Sequence, residues 1–133
     1  MNSVAPMIDA HPSAPAHRDE LIACLQACRE CAGTCAMCAD ACLSEEAVAD
    51  LRACIRTDLN CADICVATAA VLSRPGSADT ATLRSLLETC ALACGQCERE
   101  CDRHAAHHEH CRLCAEACRR CAQACRALLS VLG

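Results

Sequence analysis

The chain has 133 residues, enough for one compact domain and too few for two. Eighteen are Cys and none is Phe, Tyr or Trp, so the 54% hydrophobic fraction rests largely on Cys and Ala, and an ordinary oily core would be thin. A net charge of −5 argues against a nucleic-acid partner, and no run approaches the roughly 18 apolar residues that would make a membrane contact by spanning.

Residues 1–16 carry Pro6, Pro12 and Pro15 and read as a flexible N-terminal arm. They lack a basic start followed by an apolar stretch, so no leader peptide is expected. The chain reads as cytoplasmic, where thiols stay reduced. A single domain is expected over residues 17–133.

The first predicted helix runs from His17 to Leu43, with Cys24, Cys28, Cys31, Cys35, Cys38 and Cys42 spaced 4, 3, 4, 3, 4. Ser44 is expected to cap the second, with Glu45 and Glu46 in its first turn. That helix reaches about Ser73 and carries Cys54, Cys61 and Cys65 in the same frame, with Asp58 in the gap. Arg74-Pro75-Gly76-Ser77 is a turn. The third helix, Ala78 to Arg103, holds Cys90, Cys94, Cys97 and Cys101 at 4, 3, 4. A break across His104–Glu109 precedes the fourth, with Cys111, Cys114, Cys118, Cys121 and Cys125 at 3, 4, 3, 4. The frame also passes through His104 and His108, so one long kinked helix competes with two. Two of about 25 residues match the other helices better.

Alternating steps of 3 and 4 are the a/d seam of packed helices, here with Cys where Leu would stand. The expected fold is all-α: an antiparallel up-down-up-down four-helix bundle with a Cys-lined core. In that topology Leu21, Thr68, Leu72, Leu83, Leu87, Leu128 and Leu132 gather at one end as a plug. Cys42, Leu51, Cys101, His104, His108 and Cys111 gather at the other as a mouth. Ile55, Leu59 and Val66 lie beside the seam and serve either helix packing or a subunit interface.

Four readings of the cysteines compete. As small hydrophobes they would fill space less well than Leu and add an oxidation liability. As disulfides they would need an oxidising compartment, and bonds between consecutive turns constrain little. The C-x-x-C steps resemble zinc or iron–sulfur motifs, but every 3-step in the frame generates one, and a continuous ladder is not expected to group into fours. Copper(I) is soft, monovalent and selected by thiolates. Side chains at i and i+4 share a helix face, so Cys24/Cys28, Cys31/Cys35, Cys38/Cys42, Cys61/Cys65, Cys90/Cys94, Cys97/Cys101, Cys114/Cys118 and Cys121/Cys125 are candidate two-sulfur sites.

Charge separates the last two readings. Tetrathiolate zinc leaves about two negative charges per site in the core, whereas one copper(I) per thiolate leaves it near neutral. Between about 9 and about 18 Cu(I) ions per chain are expected, the limits for unshared pairs and full bridging.

His104, His108 and His110 are candidate ligands for incoming metal at the mouth, while His107, His11 and His17 are not. Met37 is expected to pack rather than ligate, and Asp58 to hydrogen-bond as a buried carboxylate. Gly33 and Gly95 fall mid-helix, where close approach of a neighbouring helix would account for them.

These ladders, over roughly His17 to Gly133, resemble the bacterial copper storage proteins, Cys-lined four-helix bundles. The resemblance implies Cu(I) storage, thiolate pairs within helices and a homotetramer. Its cytosolic branch fits the missing leader. The exported branch has a Met-bearing mouth, where this sequence has His104, His108 and His110. The rival binding function is a general thiolate buffer for zinc or other soft metals. An enzyme is not expected: no Cys pair stands apart from the rest, as a redox centre would require.

Overall fold

The computed structural model describes residues 2–133. Its helices are α1 (Val4–Asp9), α2 (Arg18–Leu43), α3 (Arg52–Leu72), α4 (Thr80–Asp102) and α5 (Glu109–Val131), with a 3-10 turn at Val48–Leu51 before α3. The four long helices form the bundle. Each packs on its sequence neighbours, and α5 closes the square against α2. This is the expected up-down-up-down arrangement.

All eighteen cysteines face inward. Cys38 is 2% exposed and the other seventeen are at 0%. Ala39, Ala62, Ala69, Ala91, Ala115 and Ala122 are buried on the flanks of the seam. Small flanking residues let helix axes approach closely, which suits a core side chain as short as Cys. Among the described residues only Asp58 and Thr68 are buried polar side chains. Thr68 Oγ1 donates to the Ile64 carbonyl at 2.8 Å. No buried side-chain nitrogen or oxygen among the described residues lacks a partner.

Helix boundaries follow local chemistry. Asp79 caps α4, accepting from the Thr82 amide at 2.7 Å. Gly76 takes φ +79° in the turn before it, a left-handed conformation that suits glycine. Between α4 and α5 the chain turns on itself, the His107 and His108 amides both donating to the His104 carbonyl. His108 is then extended (φ −138°, ψ 111°) and α5 starts afresh. The two-helix reading therefore holds over the single kinked helix.

Three expectations change. Ser44 does not open the second helix: it closes α2, its Oγ donating back to the Asp40 carbonyl at 3.1 Å. Residues 44–47 are a turn, and α3 begins only at Arg52. Glu45 and Glu46 thus precede the helix instead of occupying its first turn. Gly33 and Gly95 do not mark close helix contacts. A Cβ at Gly33 would meet nothing within 4 Å, and one at Gly95 would meet only the Arg99 guanidinium of its own helix, at 3.4 Å. Finally, residues 1–16, read as a flexible arm, contain α1. Pro6 falls in its first turn, where no amide is needed. Val4 and Ile8 are buried, and Asp9 is paired with Arg18 at the start of α2.

Candidate metal centre

Seventeen of the cysteines approach another thiol to within about 4 Å; most of these contacts link into one body of sulfur, with Cys24/Cys125 and Cys42/Cys111 as separate pairs at its two ends. In the middle, Cys31 Sγ lies 3.8 Å from Cys35, 3.9 Å from Cys61 and 3.8 Å from Cys118. Cys35 also lies 3.6 Å from Cys114 and 3.6 Å from Cys118. Towards the plug, Cys65 is within 3.7–3.9 Å of Cys90, Cys94 and Cys121. Cys121 reaches Cys28 at 3.7 Å, and Cys24 pairs with Cys125 at 3.7 Å. Towards the mouth, Cys54 meets Cys101 at 3.6 Å and Cys42 meets Cys111 at 4.0 Å. Of the i,i+4 pairs, Cys31/Cys35, Cys61/Cys65 and Cys97/Cys101 lie at 3.8–4.0 Å. The other short contacts cross between helices.

The sulfurs do group into fours, contrary to expectation. Cys28, Cys90, Cys121 and Cys125 form one group, all within 4.8 Å of one another. Cys31, Cys65, Cys94 and Cys121 form the next, then Cys31, Cys35, Cys61 and Cys118, then Cys35, Cys97, Cys114 and Cys118. Cys38, Cys42, Cys54 and Cys111 form a group at the mouth. Spacing along one helix could not reveal this, because each group draws on three or four helices. Neighbouring groups in the middle share corners: Cys121, Cys31, Cys35 and Cys118 each belong to two.

Asp58 fills the seam position without a cysteine. Its Oδ1 accepts from Cys97 at 3.1 Å, Cys114 at 3.2 Å and Cys101 at 3.4 Å, and its Oδ2 from Cys54 at 3.9 Å. The expected hydrogen-bonding role is therefore present. Burial is the main force pushing this carboxyl up to about 8, with the neighbouring Cys114 thiolate adding to it. Burial likewise pushes Cys42 up to about 12, with Cys54 next. Cys54 itself is lowered to about 3, chiefly by the hydrogen bond from Cys101. A proton leaving one sulfur is compensated by thiols that turn to donate to it.

The mouth histidines have distinct places. His110 Nδ1 lies over the outermost thiols, 3.5 Å from Cys38, 3.6 Å from Cys111 and 3.9 Å from Cys42. His104, in the turn after α4, is held through Nε2 by Glu100 of α4 at 3.0 Å. His108 pairs through Nδ1 with Glu45, and its ring centroid lies 5.4 Å from that of His110. His107 is exposed. Met37 is 74% exposed, so it neither packs nor ligates within the chain. It follows Ala36 on the outer face of α2, one step off the seam.

At the other end Leu21, Leu72, Leu87, Leu128 and Thr68 are all at or below 6% exposure and cover Cys24 and Cys125. Beyond them lies a cavity of 310 Å³, walled by Leu21, Leu72, Leu83, Leu128 and Leu132 and by the arm at Pro15. The expected polarity of plug and mouth is the polarity of the structure.

The family model for copper storage proteins matches residues 17–130. The chain belongs to the copper storage protein family. Among solved structures of the family it is similar to Ccsp from Streptomyces lividans loaded with 10 copper equivalents. That likeness has TM-score 0.92 and 51% identity, and covers 96% of this chain and 98% of the other. It is also similar to Cu(I)-bound copper storage protein 3 from Bacillus subtilis, with TM-score 0.70 and 36% identity over 80% of this chain and 95% of the other. The uncharacterized cysteine-rich protein YhjQ of Bacillus subtilis is 37% identical over 95 residues, 71% of this chain and 82% of its own length.

Proposed function

We propose that this chain stores Cu(I) in the cytosol, holding many ions among the thiolates of its core and receiving them at the histidine-bearing end. The single observation that carries this is the sharing of corners between four-sulfur groups. Taken singly, each group would also suit zinc, since a tetrahedron of sulfurs 2.3 Å from a zinc ion has edges of about 3.8 Å. Taken together, shared sulfurs can bridge a dense array of two- or three-coordinate ions, and at a loading near one ion per thiolate a monovalent ion leaves the buried space close to neutral, whereas a divalent one leaves it strongly positive. The ten copper equivalents of the Streptomyces protein and the copper of the Bacillus protein support the same reading.

In this reading all eighteen cysteines are ligands, and His110, His104 and His108 serve the mouth. Residues 17–133 are the storing unit, and storage needs no catalytic step. The cytosolic copper storage protein of Streptomyces lividans supports the location. Leu59 and Val66 of α3 stand 47% and 58% exposed, which favours assembly of bundles into a homo-oligomer, a tetramer by the family resemblance.

The test is anaerobic titration of the reduced protein with Cu(I) against a chromophoric Cu(I) chelator, with and without excess zinc. Uptake on the order of one ion per thiolate, indifferent to zinc, is the expected result. Uptake that stops at a few ions, or copper displaced by zinc, would replace storage with a general soft-metal buffer.

A further inference from the structure

The mouth contains one residue that the storage reading leaves without a role. Glu45 belongs to no helix. It sits in the turn after α2, yet its Oε2 lies 3.1 Å from His110 Nε2 and also pairs with His108 Nδ1, both from the start of α5. One carboxylate oxygen thus joins the α2–α3 turn to both imidazoles. Its side chain is 34% exposed, and those of His108 and His110 are 18% and 26% exposed.

A neutral imidazole carries one proton on two nitrogens, and a hydrogen-bond partner at one nitrogen decides where it sits. An ionised carboxylate accepts only. His110 therefore keeps its proton on Nε2, towards Glu45. Its Nδ1 is left with a lone pair among Cys38, Cys42 and Cys111, the outermost thiols. His108 is held the opposite way, with its proton on Nδ1 and the lone pair on Nε2.

We propose that Glu45 is the positioning residue of the mouth: it fixes opposite tautomers on His108 and His110, aims His110 Nδ1 at the outermost thiols, and so sets the rate at which Cu(I) passes from solvent to sulfur. The proposal rests on the storage reading but is separable from it, since capacity belongs to the thiols and rate to the mouth. Partners that orient a metal-binding imidazole typically contribute about 10–100-fold to affinity or activity.

The experiment compares wild type, Glu45→Gln and Glu45→Ala as reduced, metal-free protein. Side-chain ¹⁵N correlation spectra, taken above the ordinary histidine titration range, read the tautomers directly without copper. The expected wild-type result is Nε2–H at His110 and Nδ1–H at His108, giving way to mixtures in Glu45→Ala. Stopped-flow transfer from a Cu(I) chelator should then slow by about tenfold or more in Glu45→Ala, with final uptake unchanged. Glu45→Gln, whose neutral amide oxygen is a weaker acceptor and whose NH2 can donate to an imidazole nitrogen, should fall between. Unaltered tautomers in Glu45→Ala, or transfer within about twofold of wild type, overturns the proposal. If Glu45→Ala loses its helical circular dichroism, Glu45→Gln decides: wild-type tautomers and rate in that variant are equally fatal. A low final uptake in the wild type itself would instead count against storage, leaving the tautomer result to stand on its own.

Discussion

Cys118 belongs to two four-sulfur groups, whereas Cys24 makes its one close thiol contact with Cys125 at the plugged end. Loss of a shared corner weakens two groups at once, so Cys118→Ser should lower copper capacity more than Cys24→Ser. Chelator titration of both variants checks this; equal losses would mean that each thiol holds metal independently. Asp58 makes a different prediction for the metal-free protein. Burial raises its carboxyl from 3.8 to about 8. The folded state therefore holds a proton that the unfolded chain releases, and stability from this group falls as pH rises from about 4 to about 8. The amount is on the order of a few kcal/mol. Asp58→Asn should flatten that decline, as read by urea unfolding of reduced apoprotein across the interval. An unchanged slope would show that Asp58 is ionised throughout.

At the scale of elements, the ladders placed the four long helices because a period of 3 and 4 admits one buried face, and eighteen cysteines mark it. What escaped sequence reasoning depended on contacts distant along the chain. Ser44 has the chemistry of an N-cap, but its hydroxyl bonds backward to Asp40, and the preceding helix claims it. The place of Glu45 follows from histidines 63 and 65 positions away, which no local pattern reports. The fours of sulfur escaped for the same reason. Helix α1 is six residues with a proline, too short to stand alone, and it forms because Val4 and Ile8 find cover on the bundle. Ile8→Ala should therefore release α1 while leaving the bundle intact. The loss is about 2 kcal/mol, seen as faster amide exchange over residues 4–9 with copper capacity unchanged. If capacity fell as well, the arm would be part of the storing unit.

At the scale of the molecule, a core of thiols in place of branched aliphatics buries little surface per residue, and ligands that bind only the folded state add stability by mass action. The metal-free bundle has its own supports in the leucine plug, the alanine flanks and full pairing of its buried polar groups. Plug and mouth together make the interior a blind alley. Ions in such a channel move in single file, so those near Cys24 and Cys125 cannot trade places with solvent until the ones above them shift. Protein filled with one copper isotope and mixed with a chelator carrying another should exchange in two phases, a fast fraction from the Cys38, Cys42, Cys54 and Cys111 group and a slow remainder from the deeper sulfurs. A single phase for every ion would mean that the helices part sideways and that the walls, not the door, control traffic.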